Sequence, residues 1–393
     1  MKKDFHFHCI GVLARASGFT SSDALIIAYA SQYVDNSTES ERIRIESEEG
    51  DIKFTIEPVR TAYELLKPDQ GMRSLSWSAQ KRVWIPFHFI PPRPFDPRQP
   101  TFSYITEPGS PFAELLLEEA AREGNYLRRL CRIGVALHTY ADTWAHKGFS
   151  GRKNTDENEV ENIEIYDPDK EKWEYLTIEN IVDDLMPELG HAQALYFPDI
   201  PYQKWRCTIG PSKKPGGDDN LTSYLQAAEH IYERLHRIRK MDERASADPI
   251  PWNDKSVDFV PWDDLRPFIR ERLAYRPMNA NGFAGRLKNL NPDLEERCKG
   301  WENNFSHWFE PHPDVLSNGD ASGYDLSYHY DHEDWRQDAL DGDIAWDEYT
   351  SKDWNRQGPY KIAKGIESFW ETLWVHFHRA ALRQRHLVLE NLP

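Results

Sequence analysis

Cysteine is scarce in this chain. Cys9, Cys131, Cys207 and Cys298 are its only four in 393 residues, they lie far apart, and none forms a CxxC pair. The expectation is four reduced thiols in a cytoplasmic protein. Long apolar runs are missing too: no stretch approaches the roughly 18 residues that a membrane-spanning helix needs. Met1 to His6 carries two lysines but no apolar segment behind them, so no secretory signal is expected. Export by a signal-less route is the alternative to a cytoplasmic location. There is no glycine-rich phosphate loop, no GxSxG elbow and no adjacent His-Asp pair, which removes the chemistries tied to those motifs. Positive charge is also short. A formal net charge of -17 argues against long nucleic acid as a partner. It leaves room for a phosphate ester held by metal ions.

Aromatic residues, by contrast, are plentiful: 14 Trp, 18 Tyr and 18 Phe supply a packed core and argue against disorder. The length suits one large domain or two ordinary ones. Helical patterns dominate. Thr20 to Asp23 is a cap-rich start for a helix reaching Asp35, and Ser110-Pro111 opens another that ends near Gly124. Further helices are expected at 125–147, 178–196 (restarted at Pro187), 219–241, 262–275, 291–309 and 359–390. Alternating polarity predicts hairpins at 42–56 and 163–175. The proline-rich run 86–100 reads as extended, and 205–220 and 243–262 read as loops. The expected fold is mainly α, a single helical domain over 1–393 with small β-hairpin insertions. Residues 1–310 would form its core, and 311–393 a cover, irregular at 311–358, and a terminal helix.

The most informative segment is Leu137-His138-Thr139-Tyr140-Ala141-Asp142-Thr143-Trp144-Ala145-His146. His138, Asp142 and His146 stand at i, i+4 and i+8, and each four-residue step turns about 40° around a helix. All three emerge from one stripe of a segment that otherwise reads as buried, where polar groups need partners or a cation. Other candidate ligands are His6 or His8, Asp35, His88, His191 and Asp199. His6 and His8 face one side only if that piece is extended. Asp35 closes a helix against the macrodipole, and His88 lies in a strongly apolar run. A core histidine held by hydrogen bonds is the competing reading for His88 and His191, and a turn residue for Asp199. His230 and His236 read as surface residues, and His329, Asp331, His332 and Glu333 as a solvated loop. His376 and His378, two apart on a helix, cannot share a face. Nitrogen and oxygen donors without cysteine suit zinc, manganese or iron. The set exceeds one tetrahedral shell, so two or three ions are expected, with Asp142 the natural bridge.

The order of these ligands resembles the zinc-dependent phospholipase C and S1/P1 nuclease superfamily, whose members are all-helical with a trinuclear zinc site. The likeness rests on the His-x3-Asp pair His138 and Asp142, the following His146, and the ordered partners His6 or His8, Asp35, His88, His191 and Asp199. It covers about the first 200 residues. Two features depart from that pattern. The superfamily's mature N-terminal tryptophan supplies its amino and carbonyl groups to a metal, whereas this chain begins with Met1. Its final pair is a histidine with the acid four residues on, whereas here Leu195 takes that position and Asp199 stands at eight. The chain is also similar, over nearly its whole length, to a bacterial family with no assigned activity that shares the Asp-Phe-His start, the Ser-Gln-x-Val-Asp segment and the Leu-His-Thr-Tyr-Ala-Asp-Thr-Trp-Ala-His core.

The leading functional expectation is a metal-dependent hydrolase acting on a phospholipid, a nucleotide or a small phosphodiester through metal-activated water. Asp142 would bridge metals, and Asp35 would be a ligand or the base that orients water. Two alternatives stand beside it. One is a metal-dependent amide hydrolase. The other is a non-catalytic helical interaction or toxin-like protein whose histidines form a structural network.

Overall fold

The long helices start where the sequence supplies caps. The Thr20 hydroxyl accepts the Asp23 N–H at 3.1 Å, Ser110 accepts from Ala113 at 3.4 Å, and the Asn125 side chain accepts from Arg128 at 2.9 Å. Each satisfies an amide that the first helical turn leaves open. The computed structural model describes residues 1–39, 42–46, 53–63, 73–99, 101–176, 186–241, 249–253, 255–277, 293–310, 326–341, 357–362 and 366–393. Its main helices are α1 (Ile10–Ala16), α2 (Ser21–Asn36), α3 (Pro111–Ala121), α4 (Tyr126–Ala145), α5 (Asn220–Met241), α6 (Trp262–Ala274), α7 (Leu294–Phe305) and α8 (Leu373–Glu390). The protein is mainly α, as expected. No described helix is long and apolar enough to cross a membrane.

α4 is central, buried along nearly its whole length. It packs against α2, α3, α5 and α8, and their apolar residues merge into one core. Gly134 permits the closest of these approaches. A Cβ at that position would stand 2.4 Å from the Ile27 carbonyl oxygen and 2.7 Å from Ala30 Cβ, far inside van der Waals contact. The missing side chain lets α4 lie directly on α2. On the far side of α4, the Gln384 amide of α8 donates to the Thr139 hydroxyl at 2.8 Å and to the Pro86 carbonyl at 2.9 Å.

Both expected hairpins form. β1 (Ile43–Glu46) pairs antiparallel with β2 (Lys53–Ile56), and β3 (Val160–Asp167) with β4 (Lys172–Tyr175). The segment read as a loop at 205–220 is instead a second hairpin, β5 (Lys204–Ile209) with β6 (Lys214–Asp219), which joins β3 to give the order β4-β3-β5-β6. Trp205, Cys207 and Ile209 alternate into a satellite core. Pro215, Gly216 and Gly217 in β6 hid this period-2 signal. The segment 243–262 also contains a small ribbon, β7 (Ile250–Trp252) with β8 (Lys255–Val257). β9 (Leu340–Asp341) and β10 (Gln357–Ile362) complete the first sheet in the order β2-β1-β10-β9. The helix expected from 359 is therefore a strand at its start, and helix resumes only at Ile366–Trp370 and α8.

The helix expected at 178–196 lies partly outside the described residues. Its later part is not α-helical: Ala192–Ala194 and Phe197–Asp199 are single 3-10 turns. Gly190 and Leu195 both adopt positive φ there, a conformation that stops a right-handed helix. Pro86 sits in a short helical piece, Ile85–Phe87, and the chain leaves regular structure after His88.

Candidate metal centre

The N-terminal segment is not extended. Asp4–Cys9 is a buried π-helical turn that runs into α1. Residues two apart on such a turn leave on different sides, so only one of the two N-terminal histidines can reach α4. It is His6, whose ring stacks on His138 at 3.9 Å and whose Nε2 is 3.1 Å from Asp142 Oδ1. His8 points away, with its Nε2 3.9 Å from Glu302 and its ring against Tyr328. Of the pair expected to supply a ligand, His8 is thus excluded by local helical geometry.

Around this turn, three groups of donors come together that could each hold a metal ion: His6, Asp35 and His138; His88, His138 and Asp142; His146, His191 and Asp199. Every other ligand expected from the sequence is among them. α2 delivers Asp35 and α4 delivers His138 and Asp142. His146 caps the C-terminus of α4, its N–H bonded to the Asp142 carbonyl at 2.8 Å. The two 3-10 turns fold the chain between His191 and Asp199 compactly enough for an eight-residue separation to close, with His191 Nε2 4.0 Å from Asp199 Oδ2. Gly190 sets up this approach. A side chain there would collide with the Phe89 ring, which itself stacks on His146 at 4.5 Å.

Backbone carbonyls orient four of the histidines. His138 Nδ1 donates to the Ser31 carbonyl at 2.9 Å, His88 Nε2 to Thr61 at 2.9 Å, His146 Nδ1 to His88 at 2.8 Å, and His191 Nδ1 to Leu195 at 3.0 Å. A ring nitrogen that donates to a carbonyl must carry a hydrogen, so in the neutral ring the other nitrogen keeps its lone pair. Those second nitrogens all face the cluster. His88 Nδ1 and His138 Nε2 are 3.2 Å apart, and each lies 3.3 Å from Asp142 Oδ2. His6 Nδ1 is buried without a hydrogen-bond partner. Lone pairs and carboxylates converging in a buried space repel unless a cation or proton sits among them. Outer hydrogen bonds of this kind are the usual support of metal-binding histidines.

The site's electrostatics agree. Burial works against the charge of Asp142, but His146, the Met1 amine, His138 and His6 outweigh it and hold the carboxyl well below the usual range. Asp199 is likewise held low against burial by Lys2, the Met1 amine and His191. Burial pushes His6 down to about 3 and His191 to about 4, keeping both neutral. For His88, burial is overcome by Asp142 and Asp35, and its pKa is raised.

Sequence reasoning missed two groups. The Met1 amine lies 2.8 Å from Asp142 Oδ1 and 3.0 Å from Asp199 Oδ1, and the Lys2 ammonium is 3.1 Å from Asp199 Oδ2. The available signals were the two lysines beside the first histidine and the N-terminal amino group that the phospholipase C and P1 nuclease superfamily uses. Six of the cluster residues, Asp35, His88, Asp142, His146, His191 and Asp199, line a cleft of about 720 Å³ together with Tyr63, Trp84, Phe89, Tyr330, Asp331 and His332. Of the region expected to form an irregular cover, 311–325 and 342–356 lie outside the described residues. His376 and His378 are both buried but take no part in the three groups. The Val59 N–H donates to His378 Nδ1 at 3.0 Å, and His376 faces Glu371. The four cysteines are free and buried.

Comparison with curated proteins and with solved structures finds no match. A family model described as "Family of unknown function (DUF6765)" matches residues 1–392. The chain, with its convergent histidines and aspartates, belongs to that family.

Proposed function

We propose that this protein is a metal-dependent hydrolase of the phosphoesterase class, holding two or three divalent ions, zinc foremost, on the three donor groups. One observation carries the reading: four histidines, each fixed by a backbone carbonyl, turn their remaining nitrogens toward Asp142, Asp199 and one another. Buried clusters of unpaired lone pairs and carboxylates are costly without a cation. The resemblance to the phospholipase C and P1 nuclease superfamily supports the same reading, since the ligand order is shared and an amino group lies beside the aspartate common to the cluster.

Divalent ions at such a site supply Lewis acidity and acidify a bound water. The residues contribute the rest. Asp142, with Oδ2 beside His88 and His138 and Oδ1 beside His6 and the Met1 amine, would hold an ion together with His88 and His138. Asp35, 29% exposed at the cleft wall, is placed to accept a proton from water entering the site. Lys2 and Lys3 also line the cleft, where they pair with Asp199 at 3.1 Å and with Glu295 at 3.0 Å. The cleft volume suits a small phosphodiester, a nucleotide or a phospholipid headgroup.

The test is elemental analysis of protein purified without chelator, followed by hydrolysis of bis(p-nitrophenyl) phosphate with chelator and after metal is restored. Turnover that disappears and returns supports the proposal. Protein devoid of metal that takes none up would sink it.

A further inference from the structure

A second polar cavity, of about 440 Å³, lies between the end of α3, the start of α4 and the middle of α8. Five arginines reach it: Arg122, Arg128, Arg132, Arg379 and Arg383. In a chain of net charge -17, such a concentration of one sign needs a reason, because like charges at this spacing repel.

Internal carboxylates do not balance it. Arg122 is taken up by Glu119 and lies 3.8 Å from Glu118. Glu123 pairs with both Arg128, at 2.8 Å, and Arg132, at 3.4 Å, while Glu371 acts on Arg128 and Glu119 on Arg132 from farther away. Arg132 is only 8% exposed, and Arg128 Nε is buried without a hydrogen-bond partner. Across the cavity, Arg379 rests over the Trp370 ring at 5.3 Å. Among the described residues, neither Arg379 nor Arg383 has a carboxylate within ion-pair distance. The two pairs, Arg128 with Arg132 and Arg379 with Arg383, each stand four residues apart on their helices. Each pair therefore presents its guanidinium groups on one face.

We propose that this cavity is an anion site, separate from the metal centre, that binds a small phosphate-bearing ligand between the guanidinium groups of α4 and α8. Guanidinium forks match phosphate oxygens in pairs and form charge-assisted hydrogen bonds. The ligand supplies the negative charge that the surrounding helices lack, and an exposed rim at Arg379 and Arg383 gives it entry. Nothing in this proposal depends on hydrolysis at the metal centre.

Calorimetric titration of the full chain with pyrophosphate, with and without chelator, tests it. Saturable binding that survives metal removal and weakens about tenfold or more in the exposed R379Q/R383Q variant supports the site. Thermal denaturation of both proteins in pyrophosphate gives a second reading, with a rise in midpoint for the parent that is lost in the variant. Vesicles carrying phosphatidic acid separate the sources. Cosedimentation that the same variant loses assigns a lipid-borne phosphate, and its absence beside retained pyrophosphate binding assigns a free one. No saturable binding, binding lost with the metal, or equal binding by the variant would overturn the proposal.

Discussion

His88 Nδ1 and His138 Nε2 face one another at 3.2 Å, while the opposite nitrogen of each ring donates to a backbone carbonyl. With both carbonyl bonds kept, the facing nitrogens of neutral rings are two lone pairs, and Asp142 Oδ2 lies 3.3 Å from each. Only a cation or a shared proton makes that arrangement favourable. The raised pKa of His88, where Asp142 overcomes the effect of burial, is the proton's version of the same demand. A divalent ion meets it with more charge and more bonds.

Replacing Asp142 should therefore damage binding more than folding. In Asp142→Asn the side chain keeps its shape and loses its charge, and metal content is expected to fall by at least half, with phosphodiester turnover lost. Elemental analysis of the purified variant checks this. An unchanged stoichiometry would remove Asp142 from the ligand set.

The two N-terminal histidines should behave differently. His6→Gln is expected to lower metal content, whereas His8→Gln should leave it unchanged, because His8 faces Glu302 and Tyr328 rather than α4. Equal losses in both variants would contradict the helical turn at Asp4–Cys9.

Gly134→Ala introduces a Cβ 2.4 Å from a backbone oxygen of α2. Overpacking of this kind costs about 1–3 kcal/mol, and here it also pushes Asp35 away from His138. Chemical denaturation and metal content should both register the change. A variant as stable as the parent would mean that α2 and α4 are further apart than described.

A buried ion pair anchors the segment that carries His6. Arg297 Nε donates to Asp4 Oδ2 at 2.8 Å, and both side chains are 1% exposed. Arg297 also pairs with Asp293 at 2.8 Å, so Arg297→Met leaves two buried carboxylates without their cation, for an expected loss of about 3–5 kcal/mol in denaturant unfolding. Asp4→Asn combined with Arg297→Met should recover part of that loss. Failure of the double variant to improve on the single one would count against the pair.

Acid should destabilise the metal-free protein well above the carboxylate range. Burial lowers His378 to about 3, and the Val59 N–H donates to its Nδ1, which only the neutral ring can accept. Burial lowers His6 to about 3 and His191 to about 4. A histidine whose folded pKa lies below its unfolded value of about 6.5 contributes fully above that pH. Its contribution is lost as pH falls toward the folded value, by about 1.4 kcal/mol per pH unit for each group. His378→Gln, remote from the ligands, should reduce the slope between pH 6 and 4.5 by one proton's worth. An identical slope in urea denaturation at those pH values would refute the assignment.

The sequence determined a great deal through local rules. Thr20, Ser110 and Asn125 announce their helices because a capping side chain acts within one turn. The i, i+4, i+8 stripe of His138, Asp142 and His146 announces its candidate ligands because a helix has a known period. Where local signals conflict, the reading failed. Pro215 and two glycines in β6 concealed a hairpin, and positive φ at Gly190 and Leu195 broke an expected helix. The choice of His6 over His8 was out of reach, since it depends on whether five residues coil or extend, and packing under Tyr328 and Arg297 decides that. The Lys2 ammonium and the Ser31 and Thr61 carbonyls were equally invisible. A backbone group becomes part of a site only when a distant segment is brought against it. The sequence by itself thus specified which residues can bind a cation. Only the tertiary structure decided which nitrogens are free to do so, because each is set by a hydrogen bond to a carbonyl elsewhere in the chain.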